Sequence, residues 1–306
     1  MEENRRGGPC ARPVDNKQGG RPQGAPLPLF FADIKFEHSI FALPFAYLGL
    51  FLAEGGWPRF NLFFWVTVAM VFFRTFSMAA NRLIDREIDR KNPRTLPRAL
   101  PQKLLSQRFV QGVGLGSLLI FLTSAAMLSS LCFFLTPIPI LLAWLYPYLK
   151  RFTWLSHSVL GIILGISPYG AWLASRSDFS WVPGLLFIGV ASWVTGFDIL
   201  YSLQDLDFDR EQGLYSVPVL WGKDGALKMA AGLHLIAFFG WAGAGILSGL
   251  GWIYGAGLLI AGVFLIREHQ LLHRFGLAKI DQAFFSMNAW TSVIVFLAAF
   301  VDLSWV

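Results

Sequence analysis

The chain has 306 residues, of which 55% are hydrophobic and only 14% charged. A soluble globular domain carries nearer a quarter charged residues, so the composition excludes that class. The excess of 25 Lys and Arg over 19 Asp and Glu reads as the cytoplasmic bias of a membrane protein rather than as a nucleic-acid surface.

Residues 1–28 are rich in Gly, Pro, Arg and Gln and hold no apolar run. They bury too little surface to offset the entropy of ordering, which predicts a disordered tail. No apolar stretch with a small-residue cleavage site follows the arginines, so the tail is not a signal peptide. From residue 29 to 306 the chain reads as one all-α integral membrane domain. Nine transmembrane helices are expected around a central cavity, at about 38–57, 60–82, 107–127, 128–148, 155–175, 181–204, 226–248, 249–267 and 283–304. The division of 107–148 rests on its length, about twice one crossing, and on the small and polar residues near Ser124–Ser130.

Basic residues orient this bundle. The tail and the connections after even-numbered spans hold nearly all of them, from Arg5 through the dense group Arg82–Arg108 to Lys150, Arg151, Arg210, Lys223 and Arg267. The other side holds only Arg59 and Arg176. The N-terminus is therefore expected in the cytoplasm and Val306 outside. Cys10 and Cys132 form no disulfide framework and read as inert thiols.

Two polar helical stretches follow even-numbered spans and hence share a membrane side. In the first, Asn81, Asp85 and Asp89 step by four and form a column on one helical face. Like charges so placed repel each other, and they make physical sense with a cation between them. Mg²⁺ suits carboxylates, water and phosphate oxygens. A solvated loop helix with acids paired to Arg82, Arg86 and Arg90 accounts for Glu87, which lies off the column. It does not account for a second copy. In that copy Tyr201, Asp205 and Asp209 again step by four, and Asp198 lies seven before Asp205 on nearly the same face. Asp198 falls near the end of an apolar span, where a carboxylate marks a functional site. Asp207 points away.

Bases complement these acids. Arg94 and Arg98 follow the first column, and Tyr146 and Lys150 share a face after the fourth span. Arg forks onto phosphate oxygens, and Lys offers a compact positive charge. Acids for a metal and bases for an oxyanion on one membrane face suggest a diphosphate. Arg74 lies inside a span and needs a partner. His269 and His273 are two ligands without a third and read as a helix end, while Gly112, Gly114 and Gly116 read as helix-packing positions.

The chain resembles the UbiA prenyltransferase family. That family carries Asn-Asp-x-x-Asp-x-x-x-Asp and Asp-x-x-x-Asp motifs with Tyr-x-x-x-Lys between them, matched here at 81–89, 205–209 and 146–150. Arg94-Thr-x-Pro-Arg98, the 145–153 stretch and Asp198-x-x-Tyr201 extend the likeness from about Phe31 to the C-terminus. Arg82 departs from it, standing where the family most often has a second Asp. The opening Phe36–Pro44 looks like the 4-hydroxybenzoate polyprenyltransferase-like branch, associated with ubiquinone or futalosine-type menaquinone biosynthesis.

The resemblance implies Mg²⁺-dependent transfer of a polyprenyl group from its diphosphate to an aromatic acid, 4-hydroxybenzoate or a dihydroxynaphthoate, in a bacterial-type inner membrane. It places Asn81, Asp85, Asp89, Asp205 and Asp209 on the metal. It places Arg94, Arg98, Tyr146 and Lys150 on phosphate oxygens, Asp198 and Tyr201 on substrate, and Lys35 near the acceptor's carboxylate. Lipids are the expected surroundings, with neither nucleic acid nor an obligatory protein partner. A transporter would carry its acids at mid-membrane in broken helices, which the clustering of these acids at one face disfavours. A CDP-alcohol phosphatidyltransferase would need an Asp-Gly-x-x-Ala-Arg segment that is absent.

Overall fold

Hydrocarbon offers backbone polar groups no partner, so apolar runs of bilayer length close their hydrogen bonds internally as helices. The computed structural model describes residues 26–35, 43–280 and 282–305. In chain order its helices are α1 (Pro26–Asp33), α2 (Leu43–Glu54), α3 (Phe60–Lys91), α4 (Gln107–Leu128), α5 (Ser130–Leu135) and α6 (Pro137–Leu149). They continue as α7 (Ser156–Ser175), α8 (Trp181–Ser202), α9 (Leu206–Glu211), α10 (Val217–Leu247), α11 (Trp252–Phe275) and α12 (Asn288–Trp305). Eight helical stretches are long and apolar enough to cross a membrane, and α2 makes a shorter ninth. The chain is an all-helical integral membrane bundle.

Boundaries moved where local chemistry overrode the apolar pattern. The chain is already helical from Pro26, within the expected tail, because Phe30 and Ile34 are buried against α3 and α4. Residues 1–25, with Cys10, and residues 36–42 of the Phe36–Pro44 opening lie outside the described residues. The break inside 107–148 falls at Ser129, whose hydroxyl accepts from the Cys132 N–H at 3.1 Å and starts a new helix. The seventh span begins at Val217 instead of 226, because Ser216 caps it and Pro218 suits a first turn. Gly222, at φ 67°, then kinks it.

α8 is the centre of the bundle, flanked by α7 and α10. Small residues let these helices approach, since a Cβ on Gly240 would fall 3.0 Å from the Gly189 Cα. Of the three glycines in α4, only Gly114 packs closely, against Ala79 of α3, while Gly112 and Gly116 face open space. Pro168 inside α7 leaves the Leu164 carbonyl without its helical donor, and the Ser167 hydroxyl takes it at 2.7 Å.

Phe45, Trp193 and Trp241 cluster at the core, with centroids 5.1–6.0 Å apart. Beside them runs a buried polar chain, in which Trp193 donates to Asn288 and Asn288 to Glu268. His269 meets His234 of α10 at 3.0 Å rather than pairing with His273. These contacts join four helices by polar groups that would be costly to leave unpaired.

At 32 residues, α3 is about 48 Å long, well beyond a hydrocarbon core of about 30 Å. Its polar C-terminal turns therefore project to one end of the bundle. There α3, α6, α7 and α8 surround a cavity of about 760 Å³.

Candidate active site

The helical period alone builds the first column. Ser77, Asn81, Asp85 and Asp89 fall on the buried face of α3, while Glu87 is exposed and paired with Arg86 at 3.2 Å and Arg90 at 3.1 Å. Each acid of the column meets a base from another element. Lys150, following α6, places Nζ 2.6 Å from Asp85 Oδ2, and Asn81 Nδ2 lies 3.2 Å from the same oxygen. Arg98, in the 92–106 loop, reaches Asp89 at 2.8 Å. Asp85 Oδ1 is buried and accepts no hydrogen bond, and Arg151 Nη2 lies 3.6 Å from it.

The second motif is not one helical column. α8 ends at Ser202, a 3₁₀ turn covers Leu203–Asp205, and α9 begins at Leu206. The turn breaks the expected step of four, and tertiary partners hold Asp205 instead. Arg94 grips it with two nitrogens at 2.9 and 2.5 Å, and Asn92 Nδ2 adds a third bond at 2.8 Å. Burial acts to lower the Arg94 pKa, but the bonds to Asp205 outweigh it and raise the guanidinium above its ordinary value. Lys91 also donates to Gln212 across the gap, at 3.4 Å. The end of α3 and the α8–α9 corner are therefore in direct contact. Asp207 is exposed, as its direction predicted.

Asp198 reaches the cavity as well. His157 Nδ1 lies 2.7 Å from its carboxylate, and the Val217 N–H points at His157 Nε2 from 3.5 Å. That amide can only donate, so Nε2 accepts and Nδ1 carries the proton toward Asp198. Tyr201 packs on Phe284 at 4.2 Å, with the Arg94 guanidinium over its ring at 5.4 Å. Arg74 finds its partners in the backbone carbonyls of Lys35 at 3.0 Å and Ile34 at 3.5 Å.

Every residue singled out from the sequence lines this one cavity: Lys35, Asn81, Asp85, Asp89, Arg94, Arg98, Tyr146, Lys150, Asp198, Tyr201, Asp205 and Asp209. Below the polar rim its walls are apolar, with Met70, Phe73, Leu164 and Phe187. Sequence reasoning missed His157 and Asn92. A lone His in the first turn of α7 and an Asn at a helix end carry no periodic signal, and their importance depends on partners 41 and 113 residues away.

The donor set fits a hard divalent cation. The acids offer only oxygens, and one buried carboxylate oxygen lacks a donor. Among the described residues, no three His, Cys, Asp or Glu side chains converge closely enough to hold an ion by themselves. An ion bound here would take the rest of its shell from a substrate or water.

A model of the UbiA prenyltransferase family matches residues 42–292. A 4-hydroxybenzoate octaprenyltransferase of Edwardsiella ictaluri is 31% identical over 267 residues, covering 84% of this chain and 89% of that protein. The protein of the same name from Cupriavidus metallidurans is 30% identical over 260 residues, covering 82% and 85%. Among solved structures, an apo UbiA homolog from Aeropyrum pernix K1 superposes with a TM-score of 0.79 at 31% identity, covering 87% of this chain and 98% of that one. A UbiA homolog from Archaeoglobus fulgidus, bound to GPP and Mg²⁺, shares the fold at a TM-score of 0.63 and 19% identity, covering 89% and 99%.

Proposed function

This chain belongs to the UbiA prenyltransferase family, and from that premise we propose that it transfers a polyprenyl group from its diphosphate to 4-hydroxybenzoate in quinone biosynthesis, with Mg²⁺ as its cation. The observation that carries the reading is the convergence of both acidic motifs and their bases on the rim of a single apolar cavity. A rim of paired acids and bases suits a diphosphate, and the apolar chamber beneath suits an isoprenoid tail. The names of the curated relatives support the hydroxybenzoate acceptor. The basic bias of the rim's membrane side supports a cytoplasmic opening.

Asp85, Asp89, Asp205 and Asp209 would hold the metal, with phosphate oxygens completing the shell. When bound, Mg²⁺ offsets charge building on the departing diphosphate. Arg94, Arg98 and Lys150 are now tied to carboxylates at 2.5–2.9 Å. With a diphosphate and its cation bound, these bases would offer their donors to phosphate oxygens and the acids would hold the cation. Tyr146 donates from the same wall. The prenyl group leaves as an allylic cation, and the apolar walls exclude the water that would hydrolyse it. Lys35 pairs with the acceptor's carboxylate and aims the ring carbon ortho to its hydroxyl. Asp198, whose neighbour is an imidazole instead of a Lys or Arg, takes the ring proton, and His157 holds it in place.

The test is an acceptor panel on membranes containing the full chain, with Mg²⁺ and a long-chain prenyl diphosphate, and products identified by mass spectrometry. Prenylated 4-hydroxybenzoate is the expected product. A prenylated dihydroxynaphthoate instead would move the acceptor assignment to the menaquinone branch. Failure of every aromatic acid would overturn the reading.

A further inference from the structure

Arg82 occupies the place where the family's pattern carries an acid, and the structure shows what the exchange does. The residue is buried, at 5% exposure, yet its donors are engaged. Nε and Nη2 donate to the Asp33 backbone carbonyl at 3.2 and 3.0 Å, and Nε lies 3.4 Å from the Asp33 carboxylate. Nη1 donates to the Asn81 side-chain oxygen at 2.9 Å. Asp33 in turn accepts the Ala99 N–H at 2.6 Å. Arg82 thus ties α3 to α1 and, through Asp33, to the loop that carries Arg94 and Arg98.

The contact with Asn81 has a chemical consequence. A guanidinium has donors only, so the Asn81 atom facing it is the oxygen. The amide nitrogen then faces Asp85 Oδ2 at 3.2 Å and the Tyr146 hydroxyl at 3.0 Å. An ionised carboxylate accepts only, so both ends of the amide demand the same orientation. Asn ligates a hard cation through its carbonyl oxygen. Here a cationic side chain already occupies one lone pair of that oxygen, and its positive charge repels a divalent ion from the other.

We infer that Arg82 is a positioning residue that holds Asn81 as a hydrogen-bond donor beside Asp85, removes it from the metal-ligand set, and fixes the spacing between the first acidic column and the bases of the following loop. This departs from the expectation that Asn81 is a ligand, and it rests on the prenyl-transfer reading above. The ion would be held by the aspartates and phosphate oxygens alone. Asn81 directs its two N–H groups at Asp85 and at the Tyr146 hydroxyl.

The test uses the full-length protein in nanodiscs, with Mn²⁺ in place of Mg²⁺ and inorganic pyrophosphate as a non-reacting probe, free Mn²⁺ being read by electron paramagnetic resonance. Asp85→Asn is expected to weaken Mn²⁺ binding about tenfold or more, and Asn81→Ala to change it by no more than about twofold. Lys lacks the planar fork that spans Asp33 and Asn81, so Arg82→Lys is expected to raise the KM for prenyl diphosphate about tenfold while the acceptor's KM stays unchanged. A fall in active protein alone would leave both KM values in place and would remove the positioning role. Weakening of Mn²⁺ binding by Asn81→Ala to the extent seen with Asp85→Asn would overturn the assignment of Asn81. Unchanged Mn²⁺ binding in Asp85→Asn would defeat the metal reading of the site itself, and the inference would fall with it.

Discussion

Asn81, Asp85 and Asp89 stand on one uninterrupted helix, whereas Asp198, Asp205 and Asp209 are spread over the end of α8, a 3₁₀ turn and the six-residue α9. The first group owes its alignment to the backbone's own period, and its environment is closed, with only 5% of the Asp85 side chain accessible. The second owes its alignment to partners brought from elsewhere, chiefly Arg94 and Asn92, and 15% of the Asp205 side chain is accessible. A site built this way has one fixed wall and one assembled wall. The fixed wall couples activity to stability, because it is part of the bundle's interior. The assembled wall can be altered with less harm to the fold, and it can adjust when a substrate replaces its internal ion pairs.

That contrast is open to attack by substitution. Asp85→Ala leaves Lys150 and Arg151 facing a buried gap, and transfer is expected to fall about a thousandfold with a clear drop in melting temperature. Asp205→Ala is expected to cost about a hundredfold in transfer while the melting temperature hardly moves, since Arg94 can turn to solvent. Equal thermal losses in the two variants, measured in the same nanodiscs, would erase the distinction between the walls. Lys35→Ala sharpens it from a third direction. The acceptor's KM is expected to rise about fivefold with little change in that for prenyl diphosphate. Equal shifts in both constants would take Lys35 out of the acceptor's surroundings. Glu87→Gln is the smallest, with less than about a twofold change in any kinetic constant, because Glu87 is well exposed and its pairs with Arg86 and Arg90 lie at the surface.

Much of the site could be read along the chain. A period of four on a polar helix end named Asn81, Asp85 and Asp89 as one face and Glu87 as another, and the structure keeps that division. Asp207 turned outward as its place in the pattern required. The reading reached its limit where geometry ceased to be local. The 3₁₀ turn at Leu203–Asp205 interrupts a pattern that looked continuous. His157 and Asn92 acquire significance only from Asp198 and Asp205, far along the chain. Arg82 looked like the loss of an acid, and its contacts with Asp33 and Asn81 make it a clamp.

The sequence by itself determined that this protein lives in a membrane, that its helices carry acids toward one side, and that the first acidic face is a column. Those properties follow from apolar length, basic-residue asymmetry and the 3.6-residue period, none of which needs a distant partner. Only the tertiary structure decided which base meets which acid, which way the Asn81 amide points, and that both motifs open into one chamber. Each of these depends on a directional contact between residues far apart in the chain, and such contacts exist only once the helices have packed.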